Sequence, residues 1–264
     1  MLLTRILSAV VLAPLVLLPI WFGGWWFIIL MVATAGLMGW EWARMVNGGQ
    51  LGWPGVLLIA VLVLATAGFA LLEVRTIALP SFLVTGALLS AIAAVIRFKR
   101  RQAYPFVFFG TLYIGGACLA FLWLRTVPEE GRNLVFWLLA VVWATDIGAY
   151  FAGRGIGGPK LAPRISPNKT WAGLIGGALS AGLVGVLAAG FLGRDATLLV
   201  VGGMILAVVA QAGDLLESWC KRRFSVKDSS HLIPGHGGIL DRVDGLLAVL
   251  PVAFLYFWAV KDTI

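Results

Sequence analysis

Nine runs of apolar residues follow one another along the chain, at about 5–22, 24–46, 54–72, 77–96, 104–124, 133–153, 171–192, 196–219 and 245–260. A helix that crosses a bilayer needs roughly 20 such residues. Helices satisfy every backbone group in lipid, whereas unpaired strand edges leave polar groups bare. The sequence therefore predicts an all-α, polytopic integral membrane protein with about nine transmembrane helices. The first two runs are parted only by Gly23 and Gly24 and are the least sharply separated. The first has a basic residue ahead of it, as a signal peptide would. No small-x-small cleavage site follows, and the next run is also apolar, so it reads as a retained helix.

Composition agrees with this reading. Of 264 residues, 61% are hydrophobic and 12% charged, and the mean hydropathy is +0.97; a soluble domain carries about 25% charged residues. The net charge of +8 points away from nucleic acid once the cations are placed. With the N-terminus inside, the inner side collects Arg5, Arg44, Arg97, Lys99, Arg100, Arg101, Arg154, Lys160, Arg164, Lys169, Lys221, Arg222, Arg223, Lys227 and Arg242. The outer side holds only Arg75, Arg125, Arg132, Arg194 and Lys261. This bias is the positive-inside pattern, and the inner cations would face anionic lipid headgroups. Cys118 and Cys220 make no disulfide framework and read as free thiols. The outer connections, such as the one around Glu129, are short and carry little chemistry. We divide the chain into residues 1–130, N-terminal helices for scaffold, dimer contact and lipid access, and residues 131–264, a C-terminal catalytic region with cytoplasmic loops.

One polar stretch, Gln211–Gly245, holds five of the twelve carboxylates (Asp214, Glu217, Asp228, Asp241 and Asp244), five of the twenty Lys and Arg, and both histidines. Asp214 lies well inside the eighth run, where an Asp costs about 2.5–3.5 kcal/mol on insertion scales and usually faces a cavity or a partner. Glu217, Ser218, Lys221 and Arg222 follow at offsets of 3, 4, 7 and 8 and share its helical face. The plain structural alternative pairs Asp214 with a cation from another helix. Asp241 and Asp244, three apart, share a face if helical; alone they would merely complement a helix N-terminus. Near Asp214, each like-charge pair at about 4 Å would cost about 4 kcal/mol at an effective dielectric of 20. A divalent cation converts that repulsion into binding, and hard oxygens in an incomplete cage suit Mg²⁺.

Between these acids, Pro234, Gly235, Gly237 and Gly238 argue for irregular backbone that can approach a ligand closely. Lys221, Arg222 and Lys227 are placed to hold phosphates. His231 and His236 lack zinc-ligand spacing, and His236 reads as a hydrogen-bond donor to phosphate. A second inner segment starts with Asp146 and Tyr150, one helical turn apart. It continues through Gly153, Gly155, Gly157 and Gly158, which read as a flexible link, to Ser166-Pro167-Asn168-Lys169-Thr170. Thr170 is placed like an N-cap, and an anion held there with Lys169 is reasonable. The glycine spacing of a Walker loop is absent. Gly173, Gly176, Gly177, Gly182 and Gly185 on the seventh run read as helix-packing positions.

The spaced set Ser218, Lys221, Arg222, Lys227, Asp228, Pro234-Gly235-His236-Gly237-Gly238, Asp241, Arg242 and Asp244 closely resembles the signature of phosphatidate cytidylyltransferases, the CDP-diacylglycerol synthases. The segment from Asp146 and Tyr150 to Ser166, Pro167, Lys169 and Thr170 is similar to that family's other shared region. The N-terminal half is similar only in hydropathy, and Ala172 stands where many members have Glu or Gln. The resemblance implies transfer of the CMP moiety of CTP to phosphatidate, giving CDP-diacylglycerol and pyrophosphate in the inner membrane of a bacterium. It also implies Mg²⁺ with K⁺ beside it, and a homodimer. On this expectation Asp214 and Asp241 are metal ligands and Asp244 a third or supporting carboxylate. Lys221, Arg222, Lys227 and Lys169 neutralise phosphate charge, and Asp146, Tyr150, Ser166, Thr170, Ser218, His236, Gly237, Gly238 and Arg242 contribute to substrate binding. A transporter would explain the intramembrane Asp146 and Asp214 but not the basic, glycine-bearing loop. A lipid-binding structural protein would explain the loop but not the acids. The residue pattern of a CDP-alcohol phosphotransferase is absent.

Overall fold

The structure, a computed structural model, describes residues 2–71, 78–97, 103–127 and 130–260. Lys99, Arg100, Arg101, Arg75, Glu129 and Lys261 lie outside them. Among the described residues nine helices form: α1 (Leu2–Phe22), α2 (Gly24–Val46), α3 (Gly52–Leu71), α4 (Ala78–Arg97), α5 (Tyr104–Arg125), α6 (Gly131–Gly155), α7 (Trp171–Leu192), α8 (Ala196–Arg223) and α9 (Leu240–Val260). Two short strands, β1 (Lys160–Ala162) and β2 (Ser166–Thr170), pair antiparallel between α6 and α7. Eight helices, α2 to α9, are long and apolar enough to cross a membrane, whereas α1 offers a shorter apolar stretch, Ile6–Phe22. The protein is a polytopic all-α membrane protein.

Two boundaries move. Helix α8 runs four residues past the expected end at 219. Its apolar stretch stops, but Lys and Arg are good helix formers, and Glu217 braces Lys221 one turn along at 3.1 Å. Helix α9 starts at Leu240 rather than 245, so Asp241 and Asp244 are helical. The expected flexible glycine link is also shorter. Gly153 and Gly155 belong to α6, and only Gly157 and Gly158 take left-handed backbone, at φ 71° and 90°.

The chain forms two compact units. The first comprises Met1–Trp123 and Arg223–Val243. In it, the Trp42 indole donates to the Phe106 carbonyl of α5 at 2.8 Å, and its ring occupies the space a side chain at Gly110 would need. Phe27 meets Phe121 edge-on at 5.3 Å between ring centres. Phe224, just past α8, packs edge-on against Phe106. At the tight α1–α2 junction, Trp21, Phe22, Trp25 and Trp26 are all exposed, as aromatic residues at a membrane–water interface are.

The second unit comprises Leu124–Arg222 and Asp244–Ile264. Its organising helix is α7, and the glycines expected to pack do so on both sides. Gly173 and Gly176 lie against the Ala149 and Gly148 carbonyls of α6, and Gly185 lies against the Leu199 carbonyl of α8. Small residues let backbones approach at this range. The opposite stripe of Leu179, Leu183, Leu187 and Phe191 is exposed, as a lipid-facing surface is. Gly148 has the same closeness from the α6 side: a Cβ there would meet Ser180 Oγ and lie 2.7 Å from the Gly176 carbonyl. Gly148→Ala should therefore destabilise the purified protein by about 1–3 kcal/mol, read as a lower thermal-unfolding midpoint in detergent.

Candidate active site

In the second unit, local geometry starts with the hairpin. Register pairs Lys160 with Thr170 and Ala162 with Ser166, and the Trp171 amide donates to the Pro159 carbonyl at 3.1 Å. Thr170 caps α7, accepting from the Gly173 amide at 3.0 Å, as its position before an apolar run predicts. The cap fixes the residue before it. Lys169 Nζ reaches Asp214 Oδ2 on α8 at 2.5 Å and the Gln211 carbonyl at 3.4 Å. Gln211 in turn donates to the Leu174 carbonyl of α7 at 3.4 Å.

Around Asp214 the polar face of α8 separates into two levels. Ser218 Oγ donates to Asp214 Oδ1 at 3.2 Å, and this pair is partly open. Glu217, 2% exposed, and Lys221, 8% exposed, form a buried ion pair one turn apart. Lys221 thus neutralises a neighbouring acid in this arrangement instead of standing open for phosphate. Arg222 is exposed.

Helix α9 meets α8 at a pair of glycines. A side chain at Gly213 would press on the Asp244 carbonyl and Gly245, and one at Gly245 on the Ala210 carbonyl. That close approach brings Asp244 into the field of Asp214 and Asp146, of like charge, and of Lys221, of opposite charge. Asp146 is exposed on α6. Tyr150, also exposed, accepts a hydrogen bond from Arg154 at 2.8 Å. Among the described residues no three His, Cys, Asp or Glu side chains are close enough to hold a metal ion together. Asp214 and Asp244 nonetheless suit Mg²⁺: both present hard oxygens, their like charge calls for a cation, and Mg²⁺ takes few protein ligands beside water and phosphate.

In the first unit, the segment between α8 and α9 folds around Asp241. Asp241 Oδ2 accepts three hydrogen bonds, from the Ser229 amide, Ser229 Oγ and the Gly238 amide, each at 2.8 Å. A tight turn closes on the Ile233–Gly237 bridge, with Gly235 and Gly237 at φ 76° and 84°. Ser8 of α1 donates to the Pro234 carbonyl at 2.8 Å. His236 Nδ1 is buried without a hydrogen-bond partner among the described residues. Lys227 and Arg242 are exposed. The glycines here have an internal reason. A Cβ on Gly237 would lie 2.9 Å from Asp241 Oδ2, and one on Gly238 would run into Ser229 Oγ and Glu41 Oε1.

Comparison with known proteins gives this arrangement a family. The model of a family described as the cytidylyltransferase family matches residues 3–260. The chain belongs to the cytidylyltransferase family. It is 41% identical over 260 residues to the phosphatidate cytidylyltransferase of Brucella suis biovar 1 (strain 1330), covering 96% of this chain and 92% of the relative's. It is 36% identical over 262 residues to that of Pseudomonas aeruginosa (94% and 96% covered). It is 35% identical over 260 residues to that of Bacillus subtilis (strain 168) (96% of both).

Of the residues expected in the site, Lys169, Asp214, Ser218 and Asp244 come together in one unit. Thr170 stands beside Lys169 as the cap, and Ser166 is held in β2. Asp241, His236, Gly237 and Gly238 gather in the other. Glu41 is missing from the sequence-based set although it is fully buried and accepts from Ser230 Oγ and the amides of Ile239 and Leu240. The signal for it was an acid between Trp40 and Trp42 inside an apolar run. Because the Lys169–Asp214 pair is partly open (19% and 33% exposed), it adds no more than about 1 kcal/mol to stability. Lys169→Met should leave the thermal midpoint within about 3 °C of the parent, measured in the same detergent.

Proposed function

We propose that the chain transfers the cytidylyl group of CTP to phosphatidate, forming CDP-diacylglycerol and releasing pyrophosphate, and so acts in bacterial phospholipid synthesis. The observation that carries the reading is Lys169 held against Asp214, beside Asp244, in a chain whose relatives of that name match it over nearly its whole length. In the reaction a phosphate oxygen of the lipid forms a bond to the α-phosphorus of CTP. The bond from that phosphorus to the β-phosphate oxygen breaks, and pyrophosphate leaves with the electron pair. The lipid phosphate is already anionic at neutral pH, so no strong base is required. Such transfers depend on positioning and charge stabilisation.

Each residue then has a task. Lys169 meets a phosphate oxygen as its ammonium exchanges Asp214 for substrate, and Thr170 holds that lysine at the start of α7. Arg222 and Lys227, exposed and basic, draw the triphosphate and the lipid headgroup to the membrane surface. Asp214 and Asp244 would hold Mg²⁺, with Ser218 orienting Asp214 and with Asp241, one helical turn before Asp244 on α9, as the further carboxylate of the set; K⁺ is the expected companion ion. When bound, Mg²⁺ supplies neutralising charge for the triphosphate. Lys221 acts one step back, keeping Glu217 neutralised beneath Asp214. Two copies would act as a homodimer.

We place the protein in the cytoplasmic membrane with the N-terminus and both polar segments inside. The one-sided excess of Lys and Arg supports the orientation, and the exposed tryptophans at the α1–α2 junction support the membrane setting. Cys118 and Cys220 are both buried, so neither reports sidedness. A cysteine in place of exposed His231, in a protein otherwise free of cysteine, should react with an impermeant thiol reagent in inverted vesicles and stay unlabelled in intact cells. The reverse pattern would overturn the orientation.

The activity is tested with purified protein, radiolabelled CTP and phosphatidate, with and without Mg²⁺. Mg²⁺-dependent labelled liponucleotide is expected, and its absence would sink the reading. Asp214→Asn and Asp244→Asn should each lower kcat by about 10²–10³-fold, while Lys169→Met should lower kcat/KM for CTP by a similar factor. Full turnover in the Asp variants would refute their assignment to the metal.

A further inference from the structure

Glu41 stands near the inner end of α2, far along the chain from every residue given a part in the reaction. It is fully buried, and so is its neighbour Trp42. Its two oxygens accept three hydrogen bonds from the segment 230–240. Oε1 accepts from Ser230 Oγ at 2.6 Å and the Ile239 amide at 2.8 Å. Oε2 accepts from the Leu240 amide at 2.8 Å and is 3.2 Å from Ser229 Oγ. The Ile239 and Leu240 amides open α9, where N–H groups have no partner within the helix. Here a carboxylate from another helix supplies one, and its charge complements the helix dipole.

The same contacts lead to Asp241. Ser229 Oγ lies between two acids, and its single proton serves the nearer, Asp241 Oδ2 at 2.8 Å. The Gly238 amide donates to that same oxygen, and the space beside Gly238 is filled by Ser229 Oγ and Glu41 Oε1. Glu41, Ser229, Ser230, Gly238 and Asp241 thus form one network inside the first unit. Burying a carboxylate is costly, and well-packed apolar residues often stabilise as much or more. An acid here therefore supplies what an apolar residue cannot: three directed acceptor positions for one particular loop shape.

We infer that Glu41 is a positioning residue for the transfer reaction: it locks residues 229–240 in place and, through Ser229 and Gly238, sets the orientation of Asp241. The inference rests on the proposed cytidylyl transfer for its kinetic arm, while its structural arm is independent of substrate. Glu41→Gln keeps the shape but sets an NH₂ group against backbone N–H donors, and Ser230→Ala removes the shortest contact.

The test measures amide hydrogen exchange and steady-state kinetics on the full-length protein in detergent. In Glu41→Gln, exchange across 229–241 should rise about tenfold or more, with the other helices unchanged. Its kcat should fall about 10–100-fold, with KM for CTP within about threefold of the parent. Ser230→Ala should move both readouts the same way by less, and it alone decides the matter if Glu41→Gln does not fold. Unaltered loop exchange overturns the inference. So does faster loop exchange with unchanged kcat, and so does a uniform loss of protection throughout the chain, which marks a merely structural role. An inactive parent protein would count against the transfer reading, and loop exchange would still show whether Glu41 holds the segment.

Discussion

A carboxylate carried on an apolar helix has to find donors or a cation within reach, because lipid and packed side chains offer neither. The polar architecture of this protein follows from that demand. Asp214 takes an ammonium from the residue before the α7 cap, and Glu217 takes one from its own helix. Asp241 and Glu41 take backbone amides and serine hydroxyls from the segment between α8 and α9. In each case the acid also constrains what it binds. The Lys169 side chain spans from hairpin to helix, and the Gly238 amide can serve Asp241 only while the loop keeps its present shape.

Glycine is the second half of the same arrangement. A short reach between side chains requires a short distance between backbones. The α6–α7 contact through Gly148, Gly173 and Gly176, and the α8–α9 contact through Gly213 and Gly245, provide it in the second unit. A side chain at either of the latter positions would press the two backbones apart and weaken the influence of Asp214 and Asp244 on each other. Close packing and chemistry are therefore not separate properties of α8: one backbone crossing serves both.

The helical layout was legible because twenty-residue apolar runs have few alternatives, and the Thr170 cap was legible because its signal is local. Family resemblance was legible in the spaced basic, glycine and acidic residues from Ser218 to Asp244. Other features depended on partners distant in sequence. Nothing near Lys169 names Asp214, and the Glu217–Lys221 spacing says only that the two can meet, not that they are buried. Gly238 looked like freedom for a ligand to approach; its tightness comes from Glu41, almost two hundred residues earlier. The ends of α8 and α9 were misplaced because hydropathy reports where lipid ends, whereas the helix continues as long as its side chains and caps support it.

The small hairpin before α7 constrains how this part of the chain can change over evolutionary time. In a strand, neighbouring side chains alternate between faces, so a one-residue insertion or deletion between Ser166 and Thr170 would turn Lys169 away from Asp214 and remove the hydroxyl that starts α7. The tip between Ala162 and Ser166 carries no such burden, because its length alters neither the cap nor the lysine. Length variation in this region should therefore concentrate at the tip, leaving the second strand at a constant length.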